Sequence, residues 1–230
     1  MSSKESTKQW SNIKEIFESG TKEKRMTLGL HSTFNYMYSP RHLLHSLSRY
    51  KFASKIIGHN KRILEVGCSD GFCTTILSEN SKEVIAVDTD EKAILETFNP
   101  LNESNIKFKC VDITNSNDVD NIGVFDAAVS MDVIEYIPQK DEDEFLDAIC
   151  DLLISDGVCI IGTPNITASQ YASKASMDGH INLFDSERLE KIMSKRFKKV
   201  ILFSMNDEIV HTGYHAMAHY LICVGIFKKI

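Results

Sequence analysis

The sequence predicts an α/β fold: a mostly parallel sheet of seven strands with helices on both faces, its last strand antiparallel, preceded by a helical cap. Three observations predict it. Short apolar runs alternate with helix-period segments from Lys61 onward. The first run, Ile63-Leu64-Glu65-Val66, ends in the loop Gly67-Cys68-Ser69-Asp70-Gly71, which opens onto a helical pattern at Cys73 to Ser78. A second run, Val84-Ile85-Ala86-Val87-Asp88, ends in a carboxylate about 20 residues beyond the glycine loop.

Before the loop the period is helical. Trp10, Ile13, Ile16 and Phe17 make one apolar stripe, and Leu43, Leu44, Leu47, Phe52, Ile56 and Ile57 make another. Ser39 suits the cap of the second helix, Pro40 its first turn and Gly58 its end. Residues 1–58 are therefore assigned to the helical cap and 59–230 to the main domain. Strands are predicted at Arg62 to Val66, Glu83 to Asp88, Ile106 to Cys110, Phe125 to Ser130 and Gly157 to Thr163. Between the last two, Phe145, Leu146, Ile149, Cys150 and Leu153 share the buried side of a helix. Val200 to Phe203 and Tyr220 to Phe227 lack a crossover helix between them, which predicts an antiparallel pair at the sheet edge. The connection Asn165 to Leu183 is long for a compact domain, the kind of segment that overhangs a binding site.

Composition narrows the function classes. The chain has 230 residues, 43% of them hydrophobic, enough for a buried core. A formal charge of -6 argues against a nucleic-acid partner and for a small-molecule substrate. Six cysteines occur singly, without metal-site pairing, and read as buried thiols of a reducing, cytoplasmic compartment. No apolar stretch approaches a membrane span, and Met1 to Thr7 has no signal-peptide core.

The chemistry of the loop points to an adenosyl ligand. A carboxylate accepting two hydrogen bonds is well suited to a neutral ribose diol, and Asp88 ends the second strand where that diol would lie. A dinucleotide wants loop amides free for pyrophosphate, whereas Glu65 and Asp70 flank this loop with negative charge. Paired carboxylates favour a cation, such as a sulfonium that carries an α-ammonium group.

Four segments together resemble the class I S-adenosylmethionine-dependent methyltransferases, over roughly Lys61 to Phe227. Glu65, Gly67, Ser69 and Gly71 match the first motif, Asp88 the ribose acid, and Asp112 with Ile113 the adenine-holding pair. Met131-Asp132-Val133-Ile134-Glu135-Tyr136 matches the segment after the fourth strand. The resemblance implies a Rossmann-like fold, S-adenosylmethionine as cofactor, and a binding set of Glu65, Gly67, Cys68, Ser69, Gly71, Asp88, Thr89, Asp112, Ile113 and Met131. Some metal-dependent O-methyltransferases carry acid, acid and histidine in the last segment plus a later histidine. On that model Asp132, Glu135 and His180 hold a divalent metal, with Tyr136 in place of the missing histidine. Asp132 and Glu135 lie one helical step apart. The other reading has Asp132 positioning the amino end of the cofactor or capping a turn, with Glu135 solvated.

His180, after the turn-prone Asp178-Gly179, is the first candidate base, and Asp132 and Glu135 complete the catalytic set. Tyr38, Arg41 and His42 of the cap, Asn165 after the fifth strand, and His211 in the last connection are the candidate substrate contacts. The cap and the chain ending are similar to those of enzymes from bacterial surface-polysaccharide pathways, which implies a sugar or nucleotide-linked acceptor methylated on oxygen or nitrogen. A nicotinamide-dependent oxidoreductase, an RNA 2′-O-methyltransferase and a non-catalytic S-adenosylmethionine-binding protein are the alternatives.

Overall fold

A computed structural model describes residues 8, 10–15, 27–97, 105–119 and 122–229. Its centre is one eight-stranded sheet in the order β3-β2-β1-β4-β5-β8-β6-β7. The strands are β1 (Arg62–Val66), β2 (Glu83–Asp88), β3 (Ile106–Cys110), β4 (Phe125–Met131), β5 (Leu153–Pro164), β6 (Phe197–Asn206), β7 (Ile209–His211) and β8 (Tyr220–Lys228). The first five are parallel. Strand β8 runs antiparallel between β5 and β6, and β7 folds back on β6. One strand more is present than the seven predicted, because Asp207, at φ +50°, turns a tight hairpin whose short return pairs Ile209 with Asn206.

The helices are α1 (Leu30–Tyr38), α2 (Pro40–Ile57), α3 (Thr74–Ser78), α4 (Glu91–Leu95), α5 (Ser116–Val119), α6 (Glu142–Asp151), α7 (Lys174–Gly179) and α8 (Ser186–Arg196). Pro40 occupies the first turn of α2, and Gly58 ends it at φ +81°. Ser39 stands at the cap position, but its side chain makes no capping bond. Leu153, predicted on α6, instead begins β5, where it pairs with Phe125. In the N-terminal stripe, Trp10 and Ile13 are exposed, while Ile16 and Phe17 lie outside the described residues. No described helix is long and apolar enough to cross a membrane.

Two cores sandwich the sheet. On one face Leu64, Ile85 and Ile161 meet Phe145, Leu146 and Ile149 of α6 and Leu189, Ile192 and Met193 of α8. On the other, Ile63, Val84, Ala86 and Val129 meet Tyr50, Ala53 and Ile57 of α2 and Leu77 of α3. The alternation along each strand sends successive side chains to opposite faces, so β1, buried from Ile63 to Val66, feeds both cores.

The cap is built into the domain rather than laid on it. Asp70, buried in the glycine loop, accepts from the backbone N–H and the hydroxyl of Ser32, both at 2.7 Å, and so fixes the start of α1. This carboxylate, expected to face the ligand as part of an anionic rim, is committed to the cap. Phe52 of α2 also stacks edge-on against Phe203 of β6 at 4.8 Å.

Candidate active site

The C-terminal ends of β1, β2, β3 and β4 open into one crevice, as expected where strand order reverses in a parallel sheet. Its volume is about 570 Å³, and its walls include Val66, Gly67, Ser69, Asp88, Thr89, Asp112, Ile113, Asp132, Val133, Tyr136 and Phe145. Gly67 turns the chain out of β1 at φ +82°, and a Cβ there would lie 2.1 Å from Val133 Cγ2. Ser69 adopts φ +51°, and its N–H donates to Asp88 at 2.8 Å. The other Asp88 oxygen accepts from the Asp90 N–H at 2.9 Å. Each carboxylate oxygen keeps further acceptor capacity toward the crevice, which suits a diol. Asp112 takes the N–H and hydroxyl of Thr114, at 2.9 and 2.7 Å, next to the buried Ile113.

At the other end of the crevice Asp132 sits at φ +56°. Its N–H reaches the Gly162 carbonyl at 3.1 Å and the Tyr220 hydroxyl at 3.2 Å, and its carboxylate accepts from Arg49 Nη1 at 2.5 Å. Arg49 is buried, and its guanidinium lies 3.6 Å from the centre of the Tyr220 ring. A left-handed aspartate held from three sides is the kind of backbone strain found at functional sites.

A family model described as "Methyltransferase domain" matches residues 36–196, more than half of the chain. The chain belongs to the methyltransferase domain family. It is 25% identical over 158 residues to the mitochondrial ubiquinone biosynthesis O-methyltransferase of Homo sapiens, a match covering 66% of this chain but only 39% of that protein. Nodulation protein S of Azorhizobium caulinodans is 27% identical over 165 residues, covering 71% of this chain and 72% of its own. The crystal structure of the N-methyltransferase NodS from Bradyrhizobium japonicum in complex with S-adenosyl-L-homocysteine superposes with a TM-score of 0.56. That pair is 18% identical and covers 82% of this chain and 86% of the other, a likeness of fold.

In this methyltransferase domain the crevice fits S-adenosylmethionine. The Gly67 turn leaves a cradle that a Cβ would fill, Asp88 has acceptors to spare, and the volume falls in the range of small-molecule sites. Of the residues expected to hold the cofactor, Gly67, Ser69, Asp88, Thr89, Asp112 and Ile113 line it. Glu65, Cys68, Gly71 and Met131 do not. Cys68 and Met131 are buried behind the wall, and Gly71, at φ +74°, makes room for the Phe108 ring.

Glu65 is fully buried, and neither carboxylate oxygen has a hydrogen-bond partner within range among the described residues. Burial pushes its pKa up to about 7, while the nearby hydroxyls of Thr74 and Tyr50 pull the other way.

The proposed metal triad does not assemble. The segment after β4 turns only at Ile134–Tyr136, in a short 3-10 helix, so Asp132 and Glu135 are not presented as one helical pair. Asp132 is taken by Arg49, and Glu135 is fully buried, accepting from the Thr163 hydroxyl at 3.0 Å. His180 Nε2 lies 3.2 Å from the Tyr136 hydroxyl, the two rings edge-on at 5.1 Å. No group of three or more potential ligands converges among the described residues. These side chains do not fit a resident ion.

Glu135 carries the other strongly displaced acid. Desolvation first, and the charge of Asp132 second, push its pKa up to about 8. A carboxyl raised this way stays protonated when the unfolded chain ionises, so folding stability falls as pH rises from about 4.5 toward 8. Glu135→Gln, which cannot ionise, is expected to gain thermal stability relative to the parent as pH rises from 5 to 9. Melting temperatures of both proteins across that range check it, and parallel curves would refute the assignment.

The remaining substrate candidates divide. Asn165 is buried and structural: its amide donates to the carbonyls of His215 and Ala218 at 2.7 and 3.0 Å, tying β5 to the last connection. His211 contacts Asn206 at 3.1 Å on the outermost strand, separated from β4 by β5, β8 and β6. Neither lines the crevice. Tyr38 and Arg41 are exposed on the cap, and His42 is half-buried close enough to Asp132 for that charge to act on it.

Sequence reasoning passed over Arg49, His31 and Ser32. His31 Nδ1 lies 3.2 Å from the Ser69 hydroxyl, so α1 touches the glycine loop directly. The signal for Arg49 was present: it shares its helix stripe with Ala53 and Ile57, and an arginine on an apolar stripe needs a partner.

Proposed function

We propose that this protein transfers a methyl group from S-adenosylmethionine to oxygen or nitrogen of a small polar acceptor. The single observation that carries the reading is the crevice itself, where the left-handed Gly67 turn leaves space and Asp88, braced by two backbone N–H groups, faces the ribose position. Asp88 would accept from the two ribose hydroxyls, and Asp112 with Ile113 would hold the adenine. The sulfonium, when bound, supplies an electrophilic methyl carbon. The chain's own residues supply position, because displacement at that carbon needs the acceptor held in line at near-attack distance in a dry pocket.

The Arg49–Asp132 ion pair and the protonated state favoured at Glu135 leave the methionine end close to neutral in charge. An uncharged hydroxyl or amine therefore meets no repulsion there. The relatives support both atom classes, one being named an O-methyltransferase and a fold neighbour an N-methyltransferase. A sugar or nucleotide-linked acceptor and a cytoplasmic setting belong to the same proposal. Calorimetric titration separates this reading from a nicotinamide enzyme. One equivalent of S-adenosylhomocysteine should bind and NAD should not; the reverse pattern would overturn the reading.

A further inference from the structure

We propose that Arg49, delivered by the cap helix α2, is a positioning residue for methyl transfer: it holds one carboxylate oxygen of Asp132 so that the other, Oδ1, is left to accept the hydrogen bond of the acceptor's O–H or N–H. The assignment rests on the methyltransferase reading above and names the pair of residues that orients the acceptor within it.

Asp132 lines the crevice with its side chain 34% exposed, whereas the Arg49 side chain is 8% exposed and forms no part of the wall. The contact between them is single. Nη1 donates to Oδ2 at 2.5 Å, and neither Oδ1 nor the buried Nε of Arg49 has a hydrogen-bond partner among the described residues. A guanidinium that grips both oxygens is the stronger arrangement. Forgoing it leaves a buried donor unmet and a carboxylate oxygen open, so stability alone does not account for this geometry. The rest of the mounting is firm. The guanidinium lies 3.6 Å from the centre of the Tyr220 ring, and the Asp132 N–H is shared between the Tyr220 hydroxyl at 3.2 Å and the Gly162 carbonyl at 3.1 Å. Gly162 makes the room for that hydroxyl, since a Cβ there would lie 2.8 Å from it. Helix α2 and strands β5 and β8 thus fix one wall carboxylate at φ +56° and occupy only one of its oxygens.

The guanidinium also decides what suits the open oxygen. It already meets the carboxylate's charge, so a second cation at Oδ1, the α-ammonium of the cofactor included, would lie close to the first and be repelled. A neutral O–H or N–H meets no such repulsion. Its hydrogen bond to Oδ1 fixes the direction of the acceptor's lone pair, and in-line displacement needs that lone pair aimed at the methyl carbon.

Crystals and kinetics test the assignment separately. In crystals of the parent with S-adenosylhomocysteine, Asp132 Oδ1 should face the sulfur and stay out of reach of the α-ammonium; in Arg49→Met crystals the carboxylate should leave that orientation. An α-ammonium seated on Oδ1, or the same carboxylate orientation in both proteins, overturns the proposal. In the kinetic arm, methyl-labelled S-adenosylmethionine is offered with catechol as hydroxyl probe and aniline as neutral amine probe. Asp132→Asn tolerates the left-handed backbone but puts an amide donor where Oδ1 accepts, and should lower kcat about 100-fold. Arg49→Lys keeps the charge without the planar fork, and should lower kcat about tenfold while S-adenosylhomocysteine affinity stays within about twofold. The double variant should lose no more than Asp132→Asn alone, within about threefold, because Arg49 acts through Asp132. Parental kcat in Arg49→Lys, as expected of a merely structural ion pair, overturns the proposal, and so do additive losses in the double variant. The crystals decide by themselves if neither probe is methylated. Failure of S-adenosylhomocysteine to bind at all would instead strike the underlying methyltransferase reading, and the assignment with it.

Discussion

Gly67→Ala is expected to lose at least about 100-fold in S-adenosylhomocysteine affinity and about 2–5 kcal/mol in stability. Two costs add. The residue sits at φ +82°, where an L side chain pays about 1–2 kcal/mol. The new Cβ would also lie 2.1 Å from Val133 Cγ2, a contact no packing tolerates, so a wall residue must move at a cost of about 1–3 kcal/mol. Val133 lines the crevice, and so the movement that relieves the clash falls on the ligand's space. The double variant Gly67→Ala/Val133→Ala separates the costs, since it restores room without relieving the backbone. Urea denaturation and calorimetry of the single and double variants check this, and an affinity of the single variant within about threefold of the parent would refute it.

Asp88→Ala is expected to weaken S-adenosylhomocysteine by about 3–5 kcal/mol, roughly a hundredfold to a few thousandfold. The removed carboxylate would accept from two ribose hydroxyls, each charge-assisted bond contributing about 1.5–3 kcal/mol. It also releases the N–H groups of Ser69 and Asp90, which hold the loop in its binding shape. Asp88→Asn keeps one oxygen and should fall between the two. Calorimetric titration of all three proteins gives the order directly.

The parts of the molecule legible in the sequence are those whose physics is local. Strands β1 and β2 fall on the predicted residues because apolar β-branched runs bounded by polar turns leave little freedom, and β3 because Ile106, Phe108 and Cys110 alternate with lysines at the strand period. Gly67 and Asp88 were legible because a turn at positive φ and a strand-end acid carry their own chemistry. The acceptor end was not. Asp132 and Glu135 look like a pair in sequence, but their roles are fixed by Arg49, 83 residues before Asp132, and by Thr163 on the neighbouring strand. Asp70 likewise looks like part of a ligand rim and is spent on Ser32, 38 residues upstream. Asn165 looks like a substrate contact and holds the backbone of a loop about 50 residues later. Partners chosen by tertiary packing leave no mark in local pattern, which is why the metal triad was plausible on spacing and fails on geometry.

The most direct test of the central claim is a crystal of this protein grown with S-adenosylhomocysteine. The account predicts the ligand in the crevice between β1, β2 and β4, both ribose hydroxyls within hydrogen-bond distance of Asp88, the adenine beside Asp112 and Ile113, and the sulfur directed toward Asp132. A crevice left empty at saturating ligand, or a ligand seated with its ribose away from Asp88, would contradict it.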